Sequence, residues 1–305
     1  ITLFCVNDGK NHKIESGQDL KALSDRFYSS VTDKKTGQKF DVLAALVDNK
    51  LKELSFKPAN LHQVEFIGYN HPDGRRSYVR SLCFVLQNAV RELYPDKVLV
   101  IDHSLPSGLY CEIVEKAKNE DGRNKAYFVT DDEIDRIREK MRDIVAKDLP
   151  FSKVKMFSEE AEALFIANNQ PQKAELQKSL GTFSCSVYYL DGNADTFHGP
   201  LIPSTGYLKV FDISGMGDGF CLQSPMMTDF NKVMPMKRQG KISAALKEYS
   251  DWCSIINIGS VGTLNKAVKD GKAVSIINLA ESLHERNYAR IADRIYTERG
   301  TKRIV

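Results

Sequence analysis

The sequence has no cysteines in C-x-x-C spacing, no two histidines four residues apart, no phosphate-binding loop and no long apolar run, and each absence closes a class of function. Its six cysteines, Cys5, Cys83, Cys111, Cys185, Cys221 and Cys253, are scattered, several of them inside apolar stretches such as SLCFVL and TFSCSVYYL. Such spacing speaks against a zinc site or a disulfide framework and for buried free thiols in a reducing compartment. The histidines, His12, His62, His71, His103, His198 and His284, never share a helix face at i, i+4, so no metal is expected. SGMGDGF at 214–220 is Gly-rich but runs into a strand-like segment rather than a helix, which makes it a hairpin turn and not a phosphate cradle. No stretch approaches the roughly 18 to 20 apolar residues of a bilayer-crossing helix. No signal peptide is read either, so a cytoplasmic chain with no membrane partner is expected. A charge excess is missing too: 43 Lys and Arg face 40 Asp and Glu, a net +3 that does not by itself indicate a nucleic-acid or membrane surface.

What is present is ordinary soluble composition, 42% hydrophobic and 27% charged, over 305 residues, enough for two or three cores. Residues 1–68 alternate short strand candidates with one helix. ITLFCV and HKIES are joined by a turn at Asn7-Asp8-Gly9, and SGQDLKALSDRF places Leu20, Leu23 and Phe27 on one helical face. VLAALVDNKLKEL supplies two strands around Asp48-Asn49, and HQVEFIGY closes the sheet. NHPDGRRS at 70–77 has the Pro and Gly of a boundary loop. A helix follows with Val79, Leu82, Cys83, Leu86, Ala89, Val90 and Leu93 at helical spacing, ending before Pro95.

KVLVID and GLYCEIV are strands, and Thr130 to Glu133 form a capping box that opens a helix packed through Ile134, Ile137, Met141 and Ile144. After another strand and two helical pieces, TFSCSVYYL, GYLKVFDIS and GFCLQSP are expected in one antiparallel sheet. The fold class is therefore α+β over about 75–224, followed by two helical stretches separated by turns at Gly259, Gly262 and Gly271. Along the last helix Ile277, Leu279, Leu283, Ala289, Ile291 and Ile295 fall mostly on one side.

The chemistry-bearing stretch is DTFHGPLIP at 195–203. Asp195 and His198, with Lys173, form a polar set able to meet a carboxylate, hydroxyl or ribose, or simply to be solvated. His103 also lies on a Gly/Pro loop and could face the same cleft. Cys185 with His198 would be a nucleophile and base only if strand and loop fold together, and a core thiol is the plainer reading. Basic groups at Arg75-Arg76-Arg80, Lys237-Arg238-Lys241 and Lys302-Arg303 lack interleaved aromatics, so solvation explains them.

Together NAVRELYPDKVLVIDHSLPSGLYCEI, SEEAEALF, QKAEL and DTFHGPLIP resemble the editing domain of threonyl-tRNA synthetases, and residues 1–68 resemble the TGS domain, the ubiquitin-like β-grasp module that precedes it. The resemblance implies a TGS-like unit at 1–68, an editing-domain-like unit at 75–224 and a helical connector at 225–305. It also implies an H-x-x-x-H on the first long helix and a C-x-x-x-H in the Gly-Pro loop. Those positions hold Arg80, Phe84, Phe197 and Leu201, so both the general base and the ligand set are gone. A non-catalytic cleft lined by Arg80, His103, Lys173, Asp195 and His198 is then expected, with a small polar ligand or an RNA end as partner.

The ending NYARIADRIYTERGTKRIV resembles the lead-in to the P-loop of bacterial uridine kinase-like proteins, which carry the same two modules in front. That second resemblance implies a longer parent with nucleoside kinase activity, its own kinase domain as partner, a strand beginning at Arg303, and ATP and Mg²⁺ as cofactors of the parent alone. Two alternatives stand beside it: an aminoacyl-tRNA deacylase using His198 as base, and an RNA-binding module.

Overall fold

The structure, a computed structural model, describes residues 1–33, 36–118, 124–237 and 240–300. Its first unit is a mixed five-stranded sheet in the order β2-β1-β7-β5-β6, with β1 (Thr2–Cys5), β2 (Lys10–Lys13), β5 (Ala44–Val47), β6 (Lys50–Lys52) and β7 (Gln63–Ile67). Strands β1 and β7 run parallel, and the other pairs are antiparallel. Helix α1 (Leu20–Phe27) is capped by Asp19, which accepts from the Ala22 N–H, and drives Leu20 and Leu23 into the sheet. This is the β-grasp arrangement. Phe27, expected on that buried face, remains partly exposed and lies beside the His12 ring. The β5–β6 turn uses positive φ at both Asp48 and Asn49, which short polar side chains tolerate and which matches the twist of a hairpin. A two-stranded β3 (Val31–Thr32) and β4 (Lys39–Phe40) complete the unit.

Helix α2 (Pro72–Leu93) begins five residues earlier than the expected boundary loop allows. His71 accepts from the Asp73 N–H at the cap, and Pro72 occupies the first helical position, where a missing N–H goes unnoticed. The apparent loop is thus a helix start. Gly74 is required there because a Cβ would collide with the Gly68 carbonyl. Strand β9 (Gly108–Lys118) pairs with β8 (Lys97–Leu105), β10 (Asn124–Tyr127) and β15 (Gly219–Gln223), and β14 (Asp212–Met216) pairs with β15. Helices α2 and α3 (Asp131–Ala146) contribute to one core that buries Tyr78, Phe84, Ile113, Ile137, Met141 and Phe220.

A separate three-stranded sheet, β11 (Ser152–Phe157), β12 (Ser184–Leu190) and β13 (Asn193–Asp195), packs against α4 (Ser158–Ala167) and α5 (Pro171–Leu180). The expectation that TFSCSVYYL shares a sheet with the two later strands is corrected, since β12 pairs only with β11 and β13. GYLKVFDIS is not one strand either. The Tyr78 hydroxyl donates to the Val210 carbonyl at 2.9 Å and accepts its N–H at 3.2 Å, so that backbone is satisfied without a strand neighbour.

The two units share side chains. Phe40, Leu43 and Tyr69 join the central core, and the Tyr69 hydroxyl donates to the Pro225 carbonyl at 2.7 Å. Glu53 on the first unit accepts from the Tyr188 hydroxyl and pairs with Lys153 at 2.8 Å. Beyond them come α6 (Gly240–Ile255), α7 (Val261–Lys269) and α8 (Ala273–Glu298). Gly262, expected in a turn, lies inside α7, where a Cβ would sit 2.8 Å from the Leu176 backbone nitrogen. Glycine permits that close approach of α7 to α5. Helix α8 buries none of its residues, so Ile277, Leu279, Ile291 and Ile295 remain exposed. No helix of the described residues is long and apolar enough to cross a membrane.

Thr130 accepts from the Glu133 N–H and Glu133 accepts from the Thr130 N–H, completing the anticipated capping box. Burial raises the Glu133 pKa, but hydrogen bonds from Tyr127 and Thr130 outweigh it and hold the carboxyl below its usual range. Its contribution is therefore present above the unfolded value of about 4.3 and lost as pH falls through the lower folded one. Thr130→Ala is expected to destabilise by about 1 kcal/mol in urea titrations at pH 7, with a smaller difference below pH about 4. Gly262→Val is expected to detach α7, read as faster amide exchange throughout residues 261–269.

Candidate functional site

The site is built where α2, α5 and the 195–203 loop meet. Arg80 on α2 donates from Nε and Nη2 to the Pro200 carbonyl at 3.2 and 3.0 Å, and its guanidinium lies against Gly199. Gly199 has φ +119°, and a Cβ there would lie 3.0 Å from Arg80 Cζ, so glycine is required for both backbone and space. One helical position on, the Ser81 hydroxyl accepts the Ile202 N–H at 3.0 Å. These bonds tie the loop to α2 at both its turn and its exit.

On the other side Lys173 of α5 is ion-paired with Asp195 at the end of β13. Asp195 is 1% exposed, and the Thr196 N–H also bonds its Oδ1 at 2.6 Å. Burial pushes the Lys173 ammonium down, and the attraction of Asp195 opposes that shift. Sequence reasoning missed Arg91, which donates to Asn193 Oδ1 at 3.4 Å and stands in the field of Asp195. The available signal was its spacing: Arg91 follows Arg80 by three helical turns and therefore shares its face.

The four positions where the resembled family carries imidazoles and a thiol are packed rather than open. Phe84 is fully buried, with ring centroids 5.3 Å from Phe197 and 6.0 Å from Phe151. Tyr188 meets Phe197 edge-on at 6.0 Å, and Leu201 is 1% exposed. These residues do not fit a metal ion, and no group of three His, Cys, Asp or Glu among the described residues could hold one. The Cys83 thiol beside them is pushed up to about 12, chiefly by burial, and is inert as a nucleophile.

Of the expected cleft residues, Lys173 and Asp195 pair directly, and Arg80 reaches the same loop at the Pro200 carbonyl. His198 lies in the same loop with its side chain exposed. His103 is not brought to them: it sits on β8 opposite Tyr110, with Nδ1 2.9 Å from Asp102, in a cavity walled by α6. Cys185 packs on Ala161 and Phe165 under α4, and burial raises its pKa, so the nucleophile reading finds no support. The strand expected from Arg303, and the basic residues Arg238, Lys302 and Arg303, lie outside the described residues.

Phe84→Ala is expected to cost about 3 to 5 kcal/mol in denaturant unfolding, because the rings around it cannot close the void. Lys173→Met leaves a buried carboxylate without its cation and is expected to cost a similar 3 to 5 kcal/mol, most of it recovered in Lys173→Met with Asp195→Leu.

Comparison with known proteins adds a family direction. No family model matches the chain. Similar curated proteins are threonine–tRNA ligases: that of Rubrobacter xylanophilus is 27% identical over 236 residues, 76% of this chain and 34% of its own length. That of Clostridium kluyveri is 24% identical over 216 residues, 70% of this chain and 31% of its own. That of Desulforamulus reducens is 29% identical over 182 residues, 59% of this chain and 27% of its own. The chain thus spans about a third of the length of the curated relatives it matches.

These relatives overturn the expectation of a uridine kinase-like parent and of a kinase domain as partner. That expectation rested on 287–305, which is the end of one exposed helix and five residues outside the described ones. An amphipathic helix end recurs in unrelated proteins and carries little family information.

Proposed function

We propose that the chain is a tRNA-binding module of the threonine–tRNA ligase kind, in which an editing-type fold holds an acceptor end without cleaving its ester. One observation carries this reading. The Lys173–Asp195 pair and the Gly199-Pro200 turn persist, while the four positions that would activate water hold Arg80, Phe84, Phe197 and Leu201. In this reading residues 1–68 are the TGS-like unit, 75–224 the editing-like unit and 225–305 a helical connector, and the protein works in the cytoplasm.

Arg76, one helical turn from Arg80, is 68% exposed and paired with Asp73 at 2.7 Å, and the rim of Lys173 and the exposed His198 also reach water. They suit the phosphates and terminal ribose of a single-stranded RNA end. Asp195 is too deeply buried to touch RNA, so its role is to hold Lys173 and the loop in place. A rim this small and a net charge of +3 imply few phosphate contacts.

Fluorescence anisotropy with threonine-specific tRNA is expected to show binding whose log–log salt slope is shallow, about −2, as two or three phosphate contacts require. Arg76→Ala with His198→Ala, both at exposed positions, is expected to weaken it about 3- to 10-fold. Salt-independent or undetectable binding would sink the reading. The retained Lys173–Asp195 pair beside His198 favours one competitor, a deacylase with His198 as base. Release of the amino acid from mischarged tRNA above the buffer rate, abolished by His198→Ala, would replace binding with hydrolysis.

A further inference from the structure

His103 and its neighbours line a cavity of about 380 Å³ bounded by β8, β9, the β14–β15 turn and α6. That volume lies in the range of small-molecule sites, roughly 300 to 1,000 Å³. One wall is aromatic, because the His103 and Tyr110 rings stack at 5.0 Å between centroids and 28° between planes. The remaining walls carry four carboxylates among small and apolar residues. Asp102, Glu112, Asp218 and Asp251 line the cavity, against Lys247 as the one ammonium among its described residues.

The positive groups are already engaged. Lys247 pairs with Asp218 at 2.6 Å, and His103 Nδ1 contacts Asp102 at 2.9 Å. Glu112 and Asp251 form no close ion pair among the described residues, and their charges reach only Lys247, which is already bound to Asp218. Two further wall groups, His103 Nε2 and Ser243 Oγ, are buried with no hydrogen-bond partner. Lys247 senses the surplus. Its ammonium is held protonated above its ordinary range, first by the hydrogen bond to Asp218 and further by the charges of Asp218, Glu112 and Asp251.

A metal ion does not answer this arrangement, because no three His, Cys, Asp or Glu among the described residues converge closely enough to hold one. Carboxylates spread over several walls suit a cation that is itself extended, and an aromatic wall suits its alkyl or planar part. We propose that this cavity binds a small organic cation, an alkylamine or guanidine, held by Glu112 and Asp251 and seated on the His103–Tyr110 pair. The site is separate from the RNA cradle and does not depend on it. Its walls repel phosphate.

Agmatine, with an ammonium and a guanidinium on one butyl chain, is the probe, titrated into the full chain by calorimetry at low salt. Saturable binding at one site is expected, weakened about tenfold by Asp251→Asn and by Glu112→Gln, each conservative in shape. Asp251 is exposed on α6, so that variant keeps the fold, and circular dichroism checks both. The neutral diol of the same length is expected to give no binding. Absence of saturable agmatine binding, equal affinity in both variants, binding of the diol as tight as agmatine, or displacement of agmatine by equimolar Mg²⁺ would each overturn the proposal.

Discussion

A carboxylate withdrawn from water must be given a cation, and in this protein that requirement fixes Asp195 to Lys173. Isolated, the charge would be strongly destabilising; paired, it locates α5 against the end of β13 and orients the loop that follows. Arg91, bonded to Asn193 two residues along β13, adds its own field to Asp195. The loop is then closed from above by Arg80 and Ser81 of α2. The shape of the cradle therefore comes from electrostatics at one end and backbone hydrogen bonding at the other.

Between these two ends the protein has packing where its resembled family has chemistry. Phe84, Phe197, Phe151 and Tyr188 form a continuous aromatic contact, and such a cluster excludes the water that a hydrolytic site must activate. The trade is internally consistent. A Phe at the Arg80 position would leave the Pro200 carbonyl without its donor, and a His at the Phe84 position would bury a polar ring among aromatics. Charge is divided likewise: basic groups edge the cradle, and carboxylates dominate the cavity beside α6.

Much of the fold was legible because it follows local rules. The Thr130 capping box, the Asp48-Asn49 hairpin and the helical spacing of Ile134, Ile137, Met141 and Ile144 each state their structure within a few residues. What escaped was decided by distant partners. The stretch 206–214 carries strand composition throughout, but its strand begins only at Asp212, because the hydroxyl of Tyr78, 132 residues away in sequence from Val210, takes the Val210 backbone groups. The loss of ligand-type residues at Arg80, Phe84, Phe197 and Leu201 was equally plain from sequence. The separation of His103 from Asp195 was not, since no spacing rule says that β8 turns its histidine toward a helix beginning at Gly240. The kinase expectation failed for the converse reason, taking one helix end as a family signature.

The sharing of Phe40, Leu43 and Tyr69 between the first unit and the central core, with Glu53 bound to Tyr188 and Lys153, leaves no free swivel at the junction. The β-grasp unit is therefore held as a fixed arm and not as a tethered bead. Any partner that touched both units would be measured against a set angle and length, as by a carpenter's square.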